Sequence, residues 1–134
     1  MPYIYMIRCG DSSLYTGITM DVKRRMREHY YRKKTGARYT KSHSPEALEM
    51  VWETENWSDA AKLEYRIKKL AKIQKERLIR HPEQANEAAA LRQEGKIYVP
   101  RPELRFEMRK LDQKETVEAG LIGGGGSGAS SPPL

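Results

Sequence analysis

The first thirty residues constrain this chain most, because two short tyrosine-bearing hydrophobic runs are separated by a turn and followed at once by a basic stretch. Residues 3–8 are mainly apolar, β-branched and aromatic, which is typical of a strand buried on both faces. Gly10 and the Asp and Ser residues after it favour a turn, and Leu14–Ile18 again has strand character. The sequence therefore predicts an antiparallel hairpin that brings Tyr5 and Tyr15 onto neighbouring strands.

A basic helix is predicted to begin near Asp21 and to run to about residue 31. Gly17 permits close backbone approach at the end of the second strand, and Thr19 or Asp21 can cap the helix. Within the helix, positions i, i+3, i+4 and i+7 share one face, and these positions hold Val22, Arg25, Met26 and His29. Two of these four inward positions are polar, although a plain amphipathic helix would carry leucine there.

The charge of the chain favours a polyanionic partner. The formal net charge is +7 at pH 7, which suits DNA or RNA better than an acidic metabolite. Between residues 23 and 41 lysine and arginine residues are dense, Glu28 is the only acidic residue, and tyrosines are interleaved. This pattern suits contacts with phosphates and stacking of tyrosine rings on nucleobases. A solvated helix face and loop would give the same pattern. The candidate nucleic-acid-binding residues are Lys23, Arg24, Arg27, Arg32, Lys33, Lys34, Arg38, Tyr39 and Lys41.

A third strand and two further helices are predicted after Pro45. Ala47–Thr54 alternates apolar and polar side chains, as a half-buried strand does. Ser58 is a good N-cap for the next helix, and another short helix is predicted to begin at Lys72. Glu64 lies at the margin of the first helix's apolar stripe, where the helix alone favours an exposed i, i+4 pair with Lys68. The predicted architecture is α+β, with a three-stranded, mainly antiparallel sheet flanked by helices.

The composition changes after Pro82. Residues 83–93 are rich in Ala, Glu and Gln and predict a helix, whereas residues 104–117 predict a weak helix or a disordered arm. Residues 123–134 read GGGGSGASSPPL, a flexible low-complexity tail. We therefore expect three parts: a folded unit at 1–82, a helical or partly ordered extension at 83–117 that packs on this unit or binds a partner, and a flexible tail at 118–134.

Cysteine content and hydropathy narrow the class of protein. The single cysteine, Cys9, excludes an internal disulfide and provides no zinc-binding pattern. Neither a signal peptide nor a long apolar run is recognisable. We expect a cytoplasmic protein that does not associate with membranes.

These motifs, in this order, resemble the GIY-YIG endonuclease domain, especially its small, single-domain bacterial branch. The resemblance is carried by Tyr-Ile-Tyr at 3–5, Tyr-Thr-Gly at 15–17 and Asp-Val-Lys-Arg-Arg-Met-Arg-Glu-His at 21–29. It runs from Pro2 to about Ile79, through the basic loop and the helix that carries Glu64. Tyr3 replaces the name-giving glycine and Thr16 the second isoleucine, and neither position is assigned to chemistry.

The resemblance implies a metal-dependent endonuclease that hydrolyses DNA, with RNA not excluded, and that acts on single-stranded, branched or damaged substrates. Carried over by position, the catalytic residues are Tyr5, Tyr15, Arg25, His29 and Glu64. Glu64 is expected to bind one Mg²⁺ or Mn²⁺, Arg25 the scissile phosphate, and His29 a tyrosine or the phosphate. Tyr5, with Tyr15 beside it, is the expected general base. Since a free phenol titrates at about pH 10, we expect the site to favour the phenolate through the nearby Arg25 and metal-bound water.

Each of these residues also has a structural interpretation. The tyrosines fit core packing, His29 fits a histidine packed against the sheet, and Glu64 fits a surface pair. The alternative function is a non-catalytic nucleic-acid-binding module that keeps the fold and the basic patch. The endonuclease is favoured because all five positions hold chemically competent residues.

Overall fold

The computed structural model describes residues 1–31, 43–88 and 97–112. Within these ranges the strands are β1 (Tyr3–Cys9), β2 (Leu14–Thr19), β3 (Pro45–Glu53), β4 (Val99–Pro100) and β5 (Phe106–Glu107). The helices are α1 (Val22–Tyr30), α2 (Trp57–Lys69), α3 (Lys72–Arg80) and α4 (Ala85–Ala88), with short 3-10 turns at Pro82–Gln84 and Pro102–Leu104. The described part of the chain contains no helix that is long and apolar enough to cross a membrane.

The strands form one antiparallel sheet in the order β2-β1-β3-β4, and β5 pairs with the other end of β3. The predicted α+β architecture with a β1–β2 hairpin is confirmed. The sheet has five strands rather than the predicted three, because residues 99–107 add two short strands along the outer edge of β3. In the hairpin, Tyr5 lies opposite Gly17 and Ile7 opposite Tyr15, so the two tyrosines are diagonal neighbours.

Side-chain caps fix where α1 and α2 begin. The Asp21 carboxylate accepts a hydrogen bond from the Arg24 amide at 3.1 Å, so α1 starts where the sequence predicts. The predicted cap at Ser58 is wrong, because the Asn56 side chain accepts from the Asp59 amide at 2.8 Å and α2 begins at Trp57. An Asn two residues earlier offers the same acceptor chemistry as Ser.

The core lies on both faces of the sheet because successive strand residues point to opposite sides. One cluster packs against α2 and α3 and includes Ile4, Met6, Met50, Trp52, Leu63 and Ile67. The other packs against α1 and the C-terminal segment and includes Tyr5, Ile7, Val51, Met26, Met108 and Leu111. β1 is therefore buried on both faces, as its sequence predicts, and Tyr5 belongs to the layer beneath α1.

The segment 97–112 is part of the packed structure. Tyr98 is fully buried, and its hydroxyl donates to the Asp59 carbonyl at 2.5 Å. Met108 and Leu111 are also buried. The weak helix or disordered arm predicted for residues 104–117 is met only in part: residues 109–112 are helical, but residues 106–107 form β5, and Met108 and Leu111 are core residues. Two parts of these predictions lie outside the described ranges: residues 113–117, and residues 89–93 of the helix predicted for residues 83–93. Whether residues 1–82 fold without this segment stays a prediction.

Candidate active site

The Tyr5 phenol rests directly on the backbone of the neighbouring strand. Tyr5 pairs with Gly17, and a Cβ at position 17 would overlap the Tyr5 ring and its oxygen. No residue with a side chain leaves room for the ring in this position. Gly17 therefore serves the placement of the phenol, which is more specific than the close backbone approach predicted from the sequence.

Three aromatic rings meet at this point: those of Tyr5, Tyr15 and His29. The ring centroids of Tyr5 and Tyr15 are 6.2 Å apart, and His29 lies edge-on at 5.6 Å from Tyr5 and 5.3 Å from Tyr15. The Tyr5 hydroxyl is 2.8 Å from His29 Nε2, a hydrogen-bond distance. The structure therefore brings both predicted tyrosines together with the predicted histidine.

Arg25 reaches the same phenol from α1, one turn before His29. Its Nε donates to the Tyr5 hydroxyl oxygen at 3.4 Å, and its Nη1 donates to Glu28 Oε1 at 2.9 Å. The charge-assisted pair with Glu28 orients the guanidinium towards Tyr5. Glu28 was not among the predicted site residues, although its i, i+3 spacing from Arg25 is a signal that the sequence does contain.

The electrostatics of Tyr5 differ from the expectation. Burial raises the pKa of Tyr5 well above that of a free phenol, and the hydrogen bond from Arg25 opposes this rise without cancelling it. The negative charge of Glu64 adds a smaller upward contribution to the same pKa. Tyr5 is therefore neutral in the protein chain by itself, and Arg25 alone does not produce the expected phenolate. The part of that expectation that rests on metal-bound water stays a prediction.

His29 is fully buried, and it is neutral at pH 7. Burial and, second, the positive charge of Arg25 lower the pKa of His29 to about 4. A neutral imidazole has one ring nitrogen that accepts a proton. His29 therefore packs against the tyrosines of β1 and β2, as its structural interpretation predicts, and it also contacts the hydroxyl of a site tyrosine.

His29 gives the folding stability a pH dependence. The unfolded histidine titrates at about pH 6.5 and the folded one at about 4, so between these values the unfolded chain binds a proton that the folded chain does not. Stability falls as the pH is lowered through this window, by roughly 3 kcal/mol. Urea unfolding at pH 7 and pH 4.5 measures this loss, which His29→Gln should largely remove and the exposed His81→Gln should keep. A His29→Gln protein with the wild-type pH dependence would contradict the assignment.

Glu64 lies on α2 with about a quarter of its side chain exposed, and its carboxylate pairs with Lys68 Nζ at 3.1 Å. The i, i+4 pair expected from the helix alone is therefore present. The helix α2 packs on the face of the sheet opposite to that of Tyr5 and contacts β2, and the charge of Glu64 contributes only weakly to the pKa of Tyr5. Across the described ranges no three His, Cys, Asp or Glu side chains are grouped so that they could hold a metal ion.

The predicted nucleic-acid-binding residues fall in two groups. Lys23 and Arg24 are exposed on α1, and the Arg27 guanidinium lies 5.8 Å from the centroid of the Tyr31 ring. The remaining predicted residues lie outside the described ranges, and these are Arg32, Lys33, Lys34, Arg38, Tyr39 and Lys41.

Comparison with known proteins identifies the family of this chain. Residues 1–77, more than half of the chain, match the GIY-YIG catalytic domain. The chain belongs to the GIY-YIG family. This GIY-YIG domain belongs to a nuclease superfamily whose members generally use a divalent metal ion, and membership implies a nucleic-acid substrate.

The similar proteins come from both bacteria and archaea. The chain is 44% identical over 81 residues to a UPF0213 protein of Fusobacterium nucleatum, covering 60% of this chain and 79% of that protein. It is 42% identical over 78 residues to a UPF0213 protein of Halobacterium salinarum, covering 58% and 99% respectively. The solution NMR structure of a UPF0213 protein from Bacillus halodurans is 30% identical, with a TM-score of 0.39, and covers 70% of this chain and 98% of that chain.

Proposed function

We propose that this GIY-YIG domain is a metal-dependent endonuclease that hydrolyses phosphodiester bonds in DNA. The observation that carries the proposal is the position of the Tyr5 hydroxyl, which lies 2.8 Å from His29 Nε2 and 3.4 Å from Arg25 Nε. One oxygen thus contacts both a neutral proton acceptor and a cation that suits phosphate. A buried phenol needs one hydrogen-bond partner, which His29 supplies, so the contact that core packing alone does not require is the one from the Arg25 cation.

Arg25 is the proposed phosphate-binding residue. Its guanidinium presents several donors in a fixed plane, which matches the geometry of phosphate oxygens. The bond from Nη1 to Glu28 holds this plane in place, so little conformational freedom is lost when a phosphate binds. Arg25 would therefore hold the scissile phosphate next to the Tyr5 oxygen.

Tyr5 and His29 form the proposed proton path. Arg25 donates to the Tyr5 oxygen, so the phenol proton is directed to His29 Nε2. In the proposed step a water oxygen bonds to phosphorus while the bond to the leaving sugar oxygen breaks, and the leaving oxygen takes a proton from solvent water. The water proton passes to the Tyr5 oxygen, and the phenol proton passes to His29 Nε2. This relay works with a neutral phenol, and the negative phosphate raises the proton affinity of His29.

Glu64 is the proposed metal ligand. Mg²⁺ and Mn²⁺ prefer oxygen ligands, and Mg²⁺ keeps several waters and is often bound by one carboxylate with substrate phosphates. A single, partly exposed carboxylate that reaches Tyr5 electrostatically fits this mode of binding. A bound ion would compete with Lys68 for Glu64 and would offset negative charge on the phosphate and the leaving oxygen.

The test of the proposal is cleavage of labelled single-stranded, duplex and branched DNA, and of RNA, with Mg²⁺ or Mn²⁺. Glu64→Gln should lower the rate about tenfold or more and raise the metal concentration needed for half-maximal cleavage, because the amide keeps the shape but not the charge. Glu83→Gln, an exposed glutamate after α3, is the matched control and should cut like the wild type. Binding without cleavage in every metal and substrate would leave the alternative, a non-catalytic nucleic-acid-binding module.

A further inference from the structure

The outer face of α2 carries two large aromatic side chains that the core does not use. Trp57 is 52% exposed and Tyr65 is 57% exposed, whereas Ala60, Leu63 and Ile67 form the buried face of the same helix. Exposed aromatic rings on a helix contribute little to folding, and they are enriched where a protein binds a partner.

The two rings lie on one strip beside the candidate metal ligand. Trp57 and Tyr65 are eight residues apart with Ala61, small and partly buried, midway between them, so the three residues follow one side of the helix. Glu64 lies seven residues after Trp57, two turns along the same flank, at an axial distance of about 10 Å. A strand bound at Glu64 would therefore pass these rings within a few nucleotides.

The charge around the strip indicates what kind of partner it fits. The Lys69 ammonium lies 4.7 Å from the centroid of the Tyr65 ring. The helix also carries Lys62, Arg66 and Lys68, while its two acids, Asp59 and Glu64, already pair with lysines. Protein–protein interfaces are depleted in lysine, whereas single-stranded nucleic acid is bound by aromatic rings that stack on bases and by cations that meet phosphates.

We propose that Trp57, Tyr65 and Lys69 form a stacking surface for an unpaired nucleic-acid strand that continues from the active site. This inference rests on the proposed function and specifies its substrate class: nucleic acids with a single-stranded stretch next to the cleaved bond. A base stacks on the Tyr65 ring, a second base stacks on Trp57, and Lys69 binds the phosphate between or beside them.

The experiment measures binding apart from cleavage. Full-length protein is titrated into fluorescein-labelled single-stranded and duplex oligonucleotides in EDTA, and anisotropy gives the two dissociation constants. Trp57→Ala and Tyr65→Ala should each weaken single-strand binding about tenfold and change duplex binding less than twofold. Tyr65→Phe should bind like the wild type because it keeps the ring. Ile73→Ala removes a large exposed apolar side chain from α3 and is the matched control.

Several results would overturn the inference. One is unchanged single-strand binding in both alanine variants, and another is an equal loss of affinity for duplex. A third is a wild-type dimer in sedimentation that both variants convert to monomer, which would assign the face to a second copy of the chain. Cleavage is assayed separately. Wild-type cleavage with intact binding by the variants would reject the stacking surface and keep the endonuclease. Absent cleavage with weakened binding by the variants would reject the endonuclease and keep the surface.

Discussion

Tyr5→Phe is expected to slow DNA cleavage by about 10²- to 10⁴-fold, the range that a positioned acid–base group contributes. The substitution removes the oxygen that contacts His29 and Arg25 and keeps the ring that rests on Gly17. Without this oxygen, the proposed relay lacks the group that accepts the proton from water and passes a proton to the imidazole of His29. Single-turnover cleavage at saturating DNA and metal measures the change, and circular dichroism verifies the fold.

Tyr3→Phe is the matched control for this prediction. Tyr3 lies two residues earlier on β1, on the same face, and packs against the same cluster, so its substitution removes one hydroxyl from the same layer. It should cut at the wild-type rate. If Tyr5→Phe cut DNA within about threefold of the wild-type rate, the phenol oxygen would have no role in proton transfer, and Tyr5 would be a core residue.

The parts of the site that the sequence predicts are those set by local periodicity. The helical spacing of Arg25 and His29 places both on the inward face of α1, and the hairpin brings Tyr5 and Tyr15 together. The neutral state of Tyr5 in the protein chain by itself was not predicted, because the pKa of Tyr5 depends above all on how deeply the phenol is buried. Burial of that kind arises from packing between distant segments, which periodicity does not report.

The additional strands are hidden from sequence for a different reason. β4 and β5 contain two residues each, and β4 ends in Pro100, so neither has the alternating pattern of four or more residues that predicts a strand. Their positions come from pairing with β3 and from the burial of Tyr98. These residues are strands because they pair with the outer edge of β3, and their own strand propensity is too weak to predict them.

A chain that ends at residue 96 is expected to lose cooperative folding. Tyr98, Met108 and Leu111 are buried, and burying each such side chain contributes about 1.5–3 kcal/mol. Their combined loss, roughly 5 kcal/mol or more, is comparable with the total stability of a small domain, about 5–15 kcal/mol. Truncation also uncovers the edge of β3, which favours aggregation. Urea unfolding followed by circular dichroism, together with sedimentation, measures both effects.

The comparison that isolates this segment is a chain that ends at Asp112, which keeps the contacts described above for residues 97–112. It should unfold like the full-length protein. Asp112 matters in its own right, because its carboxylate accepts hydrogen bonds from Tyr30 at 2.6 Å and Tyr31 at 3.0 Å, at the end of the helix that carries Arg25 and His29. Loss of the segment therefore removes support from the active-site helix as well as from the sheet edge. If the chain ending at residue 96 folded and cut DNA like the full-length protein, the catalytic unit would be independent of residues 97–112, as a boundary near residue 82 predicts.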